Sequence, residues 1–399
     1  LEELATGLHS ILAAAAAQDG PGDSVGHLTT KARAQWAASR RALIEHHPDN
    51  GAALEEIETA LFCLCLERDT PVDALAASDA LLHGDTANRW FDKALSFIVF
   101  ADGTAGLNGE HCRLDGTTIV SLIDALAAEP AEEHSRRSGA RAQGTPRVVP
   151  LEFALDADLR ADIAEAGAAF ADYAADTTTT AVALEGFGAE AIKALRVSPD
   201  AFVQLAYQLA HHRAKGCLGA TYESIATRQY RHGRTEAMRV VTPEIVTFVA
   251  AMEDPSATAK RRRAAMRAAA EKHVARAKEC QAGQAPEQHL WELQLIQRRR
   301  GAELGVDAAP ALYDSPGWRI MREDYLSTSS VPSANVQYFG FGSTSGRCIG
   351  IGYALLATEF HLYLSTPRSV GAALRRFADL LPGVIRELRD LLAAEDREP

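Results

Sequence analysis

Long hydrophobic runs are missing from this 399-residue sequence. The Ala-rich run Ile11 to Ala17 stops at the polar residues Gln18 and Asp19, well short of the roughly 18 apolar residues that a membrane-spanning helix needs. The sequence starts with Leu1 without a charged and apolar leader, and its last residues, DREP, are not a peroxisomal address. We therefore expect a protein without a membrane span, located in the cytoplasm.

Cysteine is also sparse, with six residues scattered along the chain. This density excludes a small secreted scaffold held by disulfides and indicates a reducing compartment. Cys63 and Cys65 stand two apart, but a zinc site needs two more soft ligands, which the neighbouring sequence lacks. We therefore expect no metal and interpret both thiols as small buried apolar groups.

Positive charge is in deficit, because 41 Lys and Arg residues are outnumbered by 53 Asp and Glu residues, a formal net charge of −12. Such a balance argues against a nucleic-acid partner held by many phosphate contacts. Two local basic clusters, 260–263 and 298–300, lie among Ala, Glu and Lys at helical spacing, which is typical of a solvated helix face. A nucleic-acid site is the weaker alternative there.

The remaining composition is that of an ordinary globular protein, with 47% hydrophobic and 24% charged residues. The chain is longer than one hydrophobic core usually serves, so two domains are expected. Helical periodicity runs through residues 1–95, and strand patterns begin at Leu95. The polar, basic stretch from Ser135 to Pro150 predicts a boundary between domains 1–150 and 151–399.

The second half mixes the same two kinds of element. A short strand is predicted at residues 151–155, long helices follow to about Gln297, and strand patterns return after Pro316. A final amphipathic helix is predicted over residues 371–393. The sequence therefore predicts an α/β fold.

The sharpest local feature is a histidine at the end of a predicted hairpin. Asp102 and Gly103 provide the turn, His111 ends the second strand, and Asp115 follows four residues later. A neutral imidazole near pH 7 can take a proton from an alcohol and return it to a thiolate. Direct acyl transfer needs only such a base and no Ser or Cys nucleophile, and the sequence has no Gly-x-Ser-x-Gly elbow to supply one. On the pattern alone, a structural histidine at the surface or in the core, with its hydrogen bonds satisfied, is the commoner interpretation.

Four segments in order along the chain resemble the choline/carnitine acyltransferase family. NRWFDKALSFIVFADGTAGLNGEH, ending at His111, is similar to the segment that carries the family's active-site histidine, and YLSTSSVP is similar to its Ser-Thr-Ser stretch. Between them, SPDAFVQLAYQLAHHR and TYESIATRQYRHGRTEAMR are similar to two further family segments. The similarity runs from about Val25 to Tyr353.

This resemblance implies a two-domain CoA-dependent acyltransferase fold of the chloramphenicol acetyltransferase type, with mixed sheets flanked by helices. Domain 1–150 would be a partial acyltransferase domain that carries the histidine, and domain 151–399 would bind acyl donor and acceptor. Family members carry a further amino-terminal region, so a missing segment or subunit is an expected partner. The implied activity is transfer of an acyl group from acyl-CoA to the hydroxyl of a small alcohol of carnitine or choline type.

The resemblance also assigns roles to individual residues. His111 would be the general base, and Ser329 would donate a hydrogen bond to the tetrahedral oxyanion. Asp115 stands where the family usually has Glu and would pair with Arg234 to brace the histidine loop. The acceptor would be bound by Tyr222, Thr235, Gln288 and Ser327. The CoA thioester, a co-substrate rather than a permanently bound cofactor, would be held by Lys193, Arg196 and Asp200.

Two departures from the family pattern concern the substrates. Carnitine-using members have an Arg where this chain has Gln288, so a carnitine carboxylate would lack its countercharge. Choline-using members usually lack the threonine retained here as Thr235. The family's first lysine toward the CoA phosphates is replaced by Ala189, while Lys193 and Arg196 remain.

Two alternatives therefore stay open. The donor could be a phosphopantetheine thioester on an acyl carrier protein, with a specialised-metabolite alcohol or amine as acceptor. The chain could also be an inactive family member that binds a partner, although its retained His111, Ser329, Tyr222 and Thr235 argue against this.

Overall fold

The computed structural model describes residues 1–17, 22–112, 114–138, 144 and 146–394. The chain divides into two compact units, one from Leu1 to Asp176 and one from Thr177 onward. Part of the predicted boundary stretch, residues 139–143 and 145, lies outside the described residues, as do the last five residues, including DREP.

The division between the units falls one helix later than the boundary predicted at residue 150. The helix Ala157–Ala175 belongs to the first unit because its Leu159 and Ile163 are buried in the same apolar cluster as Val25 and Trp36. The domains 1–150 and 151–399 remain an interpretation of the sequence, whereas the structure divides the chain into its two compact units after Asp176.

The first unit is mainly helical and carries a small sheet. Its α-helices are α1 (Glu2–Ala16), α2 (Arg33–His46), α3 (Pro48–Thr59), α4 (Ala74–Leu82), α5 (Gly116–Ala127), α6 (Ala131–Ser138) and α7 (Ala157–Ala175). Two 3-10 helices cover Val25–Thr30 and Thr86–Asn88. The strands are β1 (Cys63–Leu66), β2 (Leu95–Val99) and β3 (Ala105–Gly109). Strand β2 is central, parallel to β1 and antiparallel to β3.

The predicted hairpin is confirmed as β2 and β3. Its turn places Gly103 at φ +86°, a conformation that glycine adopts at little cost. Asp102 Oδ1 accepts a hydrogen bond from the Thr104 backbone N–H at 2.9 Å, which stabilises the turn. His111 therefore lies two residues beyond the end of β3.

The helical prediction for residues 1–95 is wrong at β1. Helix α3 ends at Thr59, and Cys63–Leu66 instead forms a strand paired with β2. Pairing with a distant strand outweighed the local helical periodicity, as often happens for short apolar runs. Cys65 is buried as expected, and Cys63 is half-buried.

The second unit is built on one mixed sheet. Its strands are β4 (Thr177–Glu185), β5 (Ala220–Ala226), β6 (Thr235–Arg239), β7 (Asp324–Ser330), β8 (Ile349–Leu355) and β9 (Glu359–Pro367), in the order β4-β9-β8-β7-β5-β6. Strand β7 is parallel to both of its neighbours, and the other pairs are antiparallel. The helices are α8 (Ala189–Ala194), α9 (Pro199–Lys215), α10 (Pro243–Glu253), α11 (Ala259–Gln281), α12 (Glu287–Arg300), α13 (Pro316–Arg322) and α14 (Gly371–Ala393). Two more 3-10 helices cover Ala311–Asp314 and Arg368–Val370.

Helix α9 lies at the centre of this unit. Every residue from Ala201 to His211 is buried, and the helix packs against α14, α11 and α10. Ser198 caps its first turn by accepting a hydrogen bond from the Ala201 N–H, and Pro199 occupies the first helical position. Gly216, at φ +74°, ends the helix in the left-handed conformation. Each fully buried large apolar side chain of such a core contributes about 1.5–3 kcal/mol to folding.

The predictions for the second half are confirmed in outline. Strands β7, β8 and β9 follow Pro316, and the final helix spans Gly371–Ala393 as predicted. The strand predicted at residues 151–155 is wrong, because that segment has no regular structure and Phe153 and Leu155 pack directly on the core of the first unit. Strand β4 interrupts the stretch predicted as helical, and its four consecutive threonines were the signal for it. The predicted class, an α/β fold of mixed sheets flanked by helices, is confirmed.

Among the helices that the structure describes, none is both long enough and apolar enough to cross a membrane.

Candidate active site

His111 is exposed in the turn that follows β3. Its Nδ1 lies 2.6 Å from the Leu114 carbonyl oxygen, which accepts a hydrogen bond when the ring carries its proton on Nδ1. A neutral imidazole in this tautomer has its lone pair on Nε2, the form that a general base requires. The turn between β3 and α5 therefore favours the tautomer that the predicted base requires.

The second unit places four of the predicted residues, Tyr222, Thr235, Ser327 and Ser329, on the adjacent strands β5, β6 and β7. Strand β7 lies between β5 and β8, with Ser327 paired to Tyr222 and Ser329 paired to Gly352. Because side chains alternate along a strand, Ser327 and Ser329 share one face, and Thr328 points to the opposite face. Ser327 is buried, whereas Ser329 is half-buried.

Two side-chain contacts join residues of different strands on this face. Ser329 Oγ lies 3.3 Å from Ser224 Oγ, a hydrogen bond in which either hydroxyl can donate. Tyr222 is hydrogen-bonded to the Thr235 side chain, and burial raises the pKa of the Tyr222 phenol. Tyr222 therefore acts as a neutral hydroxyl near pH 7.

Gln288 lies beside these strands at the start of α12. Its backbone N–H donates to Glu236 Oε1 at 3.4 Å, and burial raises the pKa of that carboxyl group. Glu236 directly follows Thr235, so this bond ties the start of α12 to strand β6. The predicted acceptor residues Tyr222, Thr235, Ser327 and Gln288 are thus held on neighbouring elements of one unit.

The predicted acyl-donor residues lie at the end of α8, at the start of α9 and in the turn between these helices. A cavity of about 330 Å³ opens there, and its lining includes Arg196, Ser198, Arg267, Glu271 and Lys278. Three of these five side chains are cationic, which favours an anionic ligand. Lys193 lies three residues before Arg196, exposed in the last turn of α8.

Asp200 belongs to a polar cluster at the amino-terminal end of α9. Its Oδ1 accepts a hydrogen bond from the Tyr353 hydroxyl at 2.6 Å, and its Oδ2 lies 3.2 Å from His273 Nε2. Burial works against ionisation, but the hydrogen bonds from His273 and Tyr353 prevail and lower the pKa of Asp200. Burial and the Asp200 charge raise the pKa of Glu223, which favours the protonated form of this buried carboxyl group.

Asp200, Glu223 and His273 also offer one metal-ligand atom each, and these atoms lie within 4.8 Å of one another. Two carboxylates and an imidazole form a donor set suited to a divalent transition metal. The sequence-based expectation of no metal stays a prediction.

Several site residues were missed from the sequence. Ser224 could have been found, because it follows Tyr222 by two positions in a strand and therefore shares its face. His273 and Arg267 carry no comparable signal, since they lie in the long helix α11, and only folding brings them near α9.

The predicted roles that need residues from both units stay predictions. His111 and Asp115 belong to the first unit, and Ser329 and Arg234 belong to the second. Asp115 immediately precedes α5, and its backbone carbonyl accepts the Thr118 N–H at 2.9 Å. The predicted pairing of Asp115 with Arg234 is therefore an expectation about two separate units.

Comparison with known proteins identifies relatives along most of the chain. The family model for choline/carnitine O-acyltransferases matches residues 1–382. The peroxisomal carnitine O-octanoyltransferase of Bos taurus is 34% identical over 303 residues, which are 75% of this chain and 48% of that protein. The carnitine O-acetyltransferase of Homo sapiens is 30% identical over 386 residues, 94% of this chain and 60% of that protein. The chain thus spans about half the length of the curated relatives it matches.

Among solved structures, a chloramphenicol acetyltransferase is similar to 53% of this chain, aligned with 88% of its own length. The sequence identity is 10% and the TM-score is 0.28.

Proposed function

Because this chain belongs to the choline/carnitine O-acyltransferase family, we propose that it transfers an acyl group from acyl-CoA to the hydroxyl of a small alcohol of carnitine or choline type. The observation that carries the proposal is the contact between Ser224 and Ser329. Their hydroxyls lie 3.3 Å apart although 105 residues separate them in the sequence. They lie on the strands that also carry Tyr222 and Ser327, the predicted acceptor residues.

The chemistry needs one base and one oxyanion donor. Nε2 of His111 removes the proton from the acceptor hydroxyl as its oxygen attacks the thioester carbonyl carbon. The resulting tetrahedral oxyanion accepts a hydrogen bond from Ser329, with Ser224 beside it. The C–S bond then breaks, the carbonyl re-forms, and the His111 imidazolium returns its proton to the CoA thiolate. The acyl group thus passes directly from sulfur to oxygen, and no covalent acyl-enzyme forms.

The cavity beside α9 favours CoA as the donor. Replacement of the family's first lysine by Ala189 suggested weak phosphate binding, but Arg267 and Lys278 add two cations to Arg196 around the cavity. Three guanidinium and ammonium groups suit the phosphates of a nucleotide. A carrier-bound phosphopantetheine has fewer phosphates to bind, so it is the second candidate donor.

The acceptor is proposed to lack a carboxylate. Gln288 is neutral, and its backbone binds the Glu236 carboxyl group. The neighbouring Arg239 is already paired with Glu287 and Asp324. A carboxylate placed there would meet the acidic side chains of Glu236 and Glu287, and the Arg239 guanidinium is already engaged by two carboxylates. An unpaired buried carboxylate costs several kcal/mol. Choline-type alcohols therefore fit this site better than carnitine.

A thiol-release assay tests the function. The purified chain is mixed with acetyl-CoA, octanoyl-CoA or palmitoyl-CoA and with choline or carnitine, and free thiol is followed. We expect acceptor-dependent release with one or more pairs, and a loss of roughly 100-fold or more in His111→Ala. The exposed His9, which lies in α1, provides the matched control His9→Ala. Release that needs an acylated carrier protein would favour the second donor, and absence of release from every donor would favour an inactive binding protein.

The cellular location of the protein is a separate proposal. We keep the cytoplasm as the proposed compartment, although the Bos taurus relative is named as a peroxisomal enzyme. Fractionation of source cells with an antibody to the chain tests this, and recovery in an organelle fraction would replace the proposal.

A further inference from the structure

A chain of four hydrogen bonds runs through the core of the second unit. The Tyr353 hydroxyl donates to Asp200 Oδ1 at 2.6 Å. Gln204 Nε2 donates to the same Tyr353 hydroxyl at 3.4 Å and to Thr328 Oγ1 at 2.8 Å. Thr328 Oγ1 in turn donates to the Tyr222 carbonyl oxygen at 2.9 Å.

The directions of these bonds agree with one another. The two N–H groups of the Gln204 amide serve Thr328 and Tyr353, and each hydroxyl that accepts from Gln204 donates its own proton onward. Gln204 and Thr328 are fully buried, and Tyr353 is 1% exposed. In such a dry environment each bond is stronger than in water, and the loss of one partner leaves the other unsatisfied.

The two ends of the chain lie in different parts of the proposed site. Asp200 is a predicted acyl-donor residue in the first turn of α9. Tyr222 is a predicted acceptor residue, and its strand also carries Ser224. Thr328 lies between Ser327 and Ser329 in β7, so the chain passes through the strand that carries the proposed oxyanion donor.

Resting on the proposed function, we infer that Gln204 and Thr328 form a positioning relay that couples acyl-donor binding at Asp200 to acceptor binding at Tyr222. A donor that engages Asp200 changes the strength of the Tyr353 bond, and Gln204 passes this change to Thr328. Thr328 holds β7 against β5, and so fixes Ser329 relative to Ser224 and Tyr222. Gln204 and Thr328 are positioning residues, because both side chains are fully buried and act through their neighbours.

Coupling between ligands is the property that separates a relay from a purely structural network. The dissociation constant of CoA is measured by calorimetry with and without a saturating acceptor, choline or carnitine, according to which one the parent protein uses in the thiol assay. We expect the acceptor to change CoA affinity by at least 5-fold in the parent, a typical size for coupled sites. In Thr328→Val and in Gln204→Leu this ratio should fall to within about 2-fold of unity, with kcat reduced and the CoA affinity measured alone retained.

Two variants control for loss of packing. Thr328→Ser keeps the hydroxyl and should keep the coupling. Thr366→Val removes a different buried hydroxyl, which donates to the Cys348 carbonyl at 2.8 Å outside the relay. It should lower the melting temperature about as much as Thr328→Val while leaving the coupling intact.

The results separate failure of the relay from failure of the proposed function. Full coupling in Thr328→Val, loss of coupling in Thr366→Val, or an absence of coupling in an active parent would each overturn the relay alone. A parent that neither releases thiol nor binds CoA would overturn the proposed function, and the relay with it.

Discussion

Arg239 in β6 donates two hydrogen bonds to Glu287, the first residue of α12. The Nε–Oε2 and Nη2–Oε1 distances are both 2.5 Å, and Arg239 also pairs with Asp324 in β7. The Glu287 side chain is only 5% exposed. One guanidinium thus joins two strands to the helix that carries Gln288, and the acceptor side of the proposed site depends on it.

Breaking this pair should be costly for folding. Glu287→Gln removes the buried one of the two countercharges of Arg239 and leaves the half-buried Asp324, so we expect the free energy of unfolding to fall by about 3 kcal/mol. Urea unfolding followed by circular dichroism measures the change. Glu303→Gln is the control, because the Arg300–Glu303 pair is more than 60% exposed on both side chains and should contribute less than about 0.5 kcal/mol. Equal losses in the two variants would contradict the structural role of Arg239.

The Ser224–Ser329 contact predicts unequal effects of two similar substitutions. Ser329→Ala removes the proposed oxyanion donor, and kcat for acyl transfer should fall roughly 100-fold or more. Ser224→Ala removes its hydrogen-bond partner and should lower kcat by a smaller factor, about 10-fold. The KM for the acyl donor should stay unchanged in both. Steady-state kinetics by thiol release provides the measurement, and an undiminished kcat in Ser329→Ala would remove Ser329 from the mechanism.

The cavity beside α9 predicts a charge-dependent donor affinity. Arg267→Ala should raise the KM for acyl-CoA roughly 10-fold by deleting a charged hydrogen-bond donor, while the KM for the acceptor stays constant. Because screening weakens such contacts, the difference from the parent should shrink between 0.05 M and 0.3 M NaCl.

Arg376→Ala is the matched control for this variant, since Arg376 is exposed on α14 and does not line the cavity. It should leave the KM for acyl-CoA unchanged at both salt concentrations. If Arg376→Ala and Arg267→Ala behave alike, the effect comes from overall charge and the cavity is not the donor site.

His211 predicts a loss of stability in acid. Burial, followed by the charge of Lys215, lowers the pKa of His211 to about 4, and its Nδ1–H donates to the Cys217 carbonyl at 3.1 Å. In the unfolded chain a histidine titrates near pH 6.5. The unfolded state therefore binds more protons between these values, and this contribution to stability is present near pH 7 and is lost as the pH falls toward 4.

The expected size of the loss is roughly 2–3 kcal/mol. His211→Asn keeps a donor for Cys217 but cannot titrate, so its unfolding free energy should fall less than that of the parent between pH 7 and pH 4.5. Parallel urea titrations at pH 7, 5.5 and 4.5 test this. An identical pH dependence in the two proteins would mean that His211 titrates normally in the folded state.

Local patterns were sufficient wherever the chemistry of neighbouring residues decides the conformation. Asp102 and Gly103 specify a tight turn, and the structure has a hairpin there. The regular apolar spacing of residues 371–393 specifies an amphipathic helix with the predicted ends. In both cases the information lies within a few residues of the element it determines.

The sequence by itself therefore determined the family, the α/β class and the types of side chain that perform the proposed chemistry, because these depend on residue identity and order. Tertiary structure alone decided that CLCL is a strand, that residues 151–155 are not, and that Ser224 meets Ser329. It also placed Arg267 beside Arg196 and linked Asp200 to Tyr222 through Gln204 and Thr328. Each of these relationships joins segments far apart in the chain. The local propensity of a segment for helix or strand cannot indicate which distant segment will pack against it after folding.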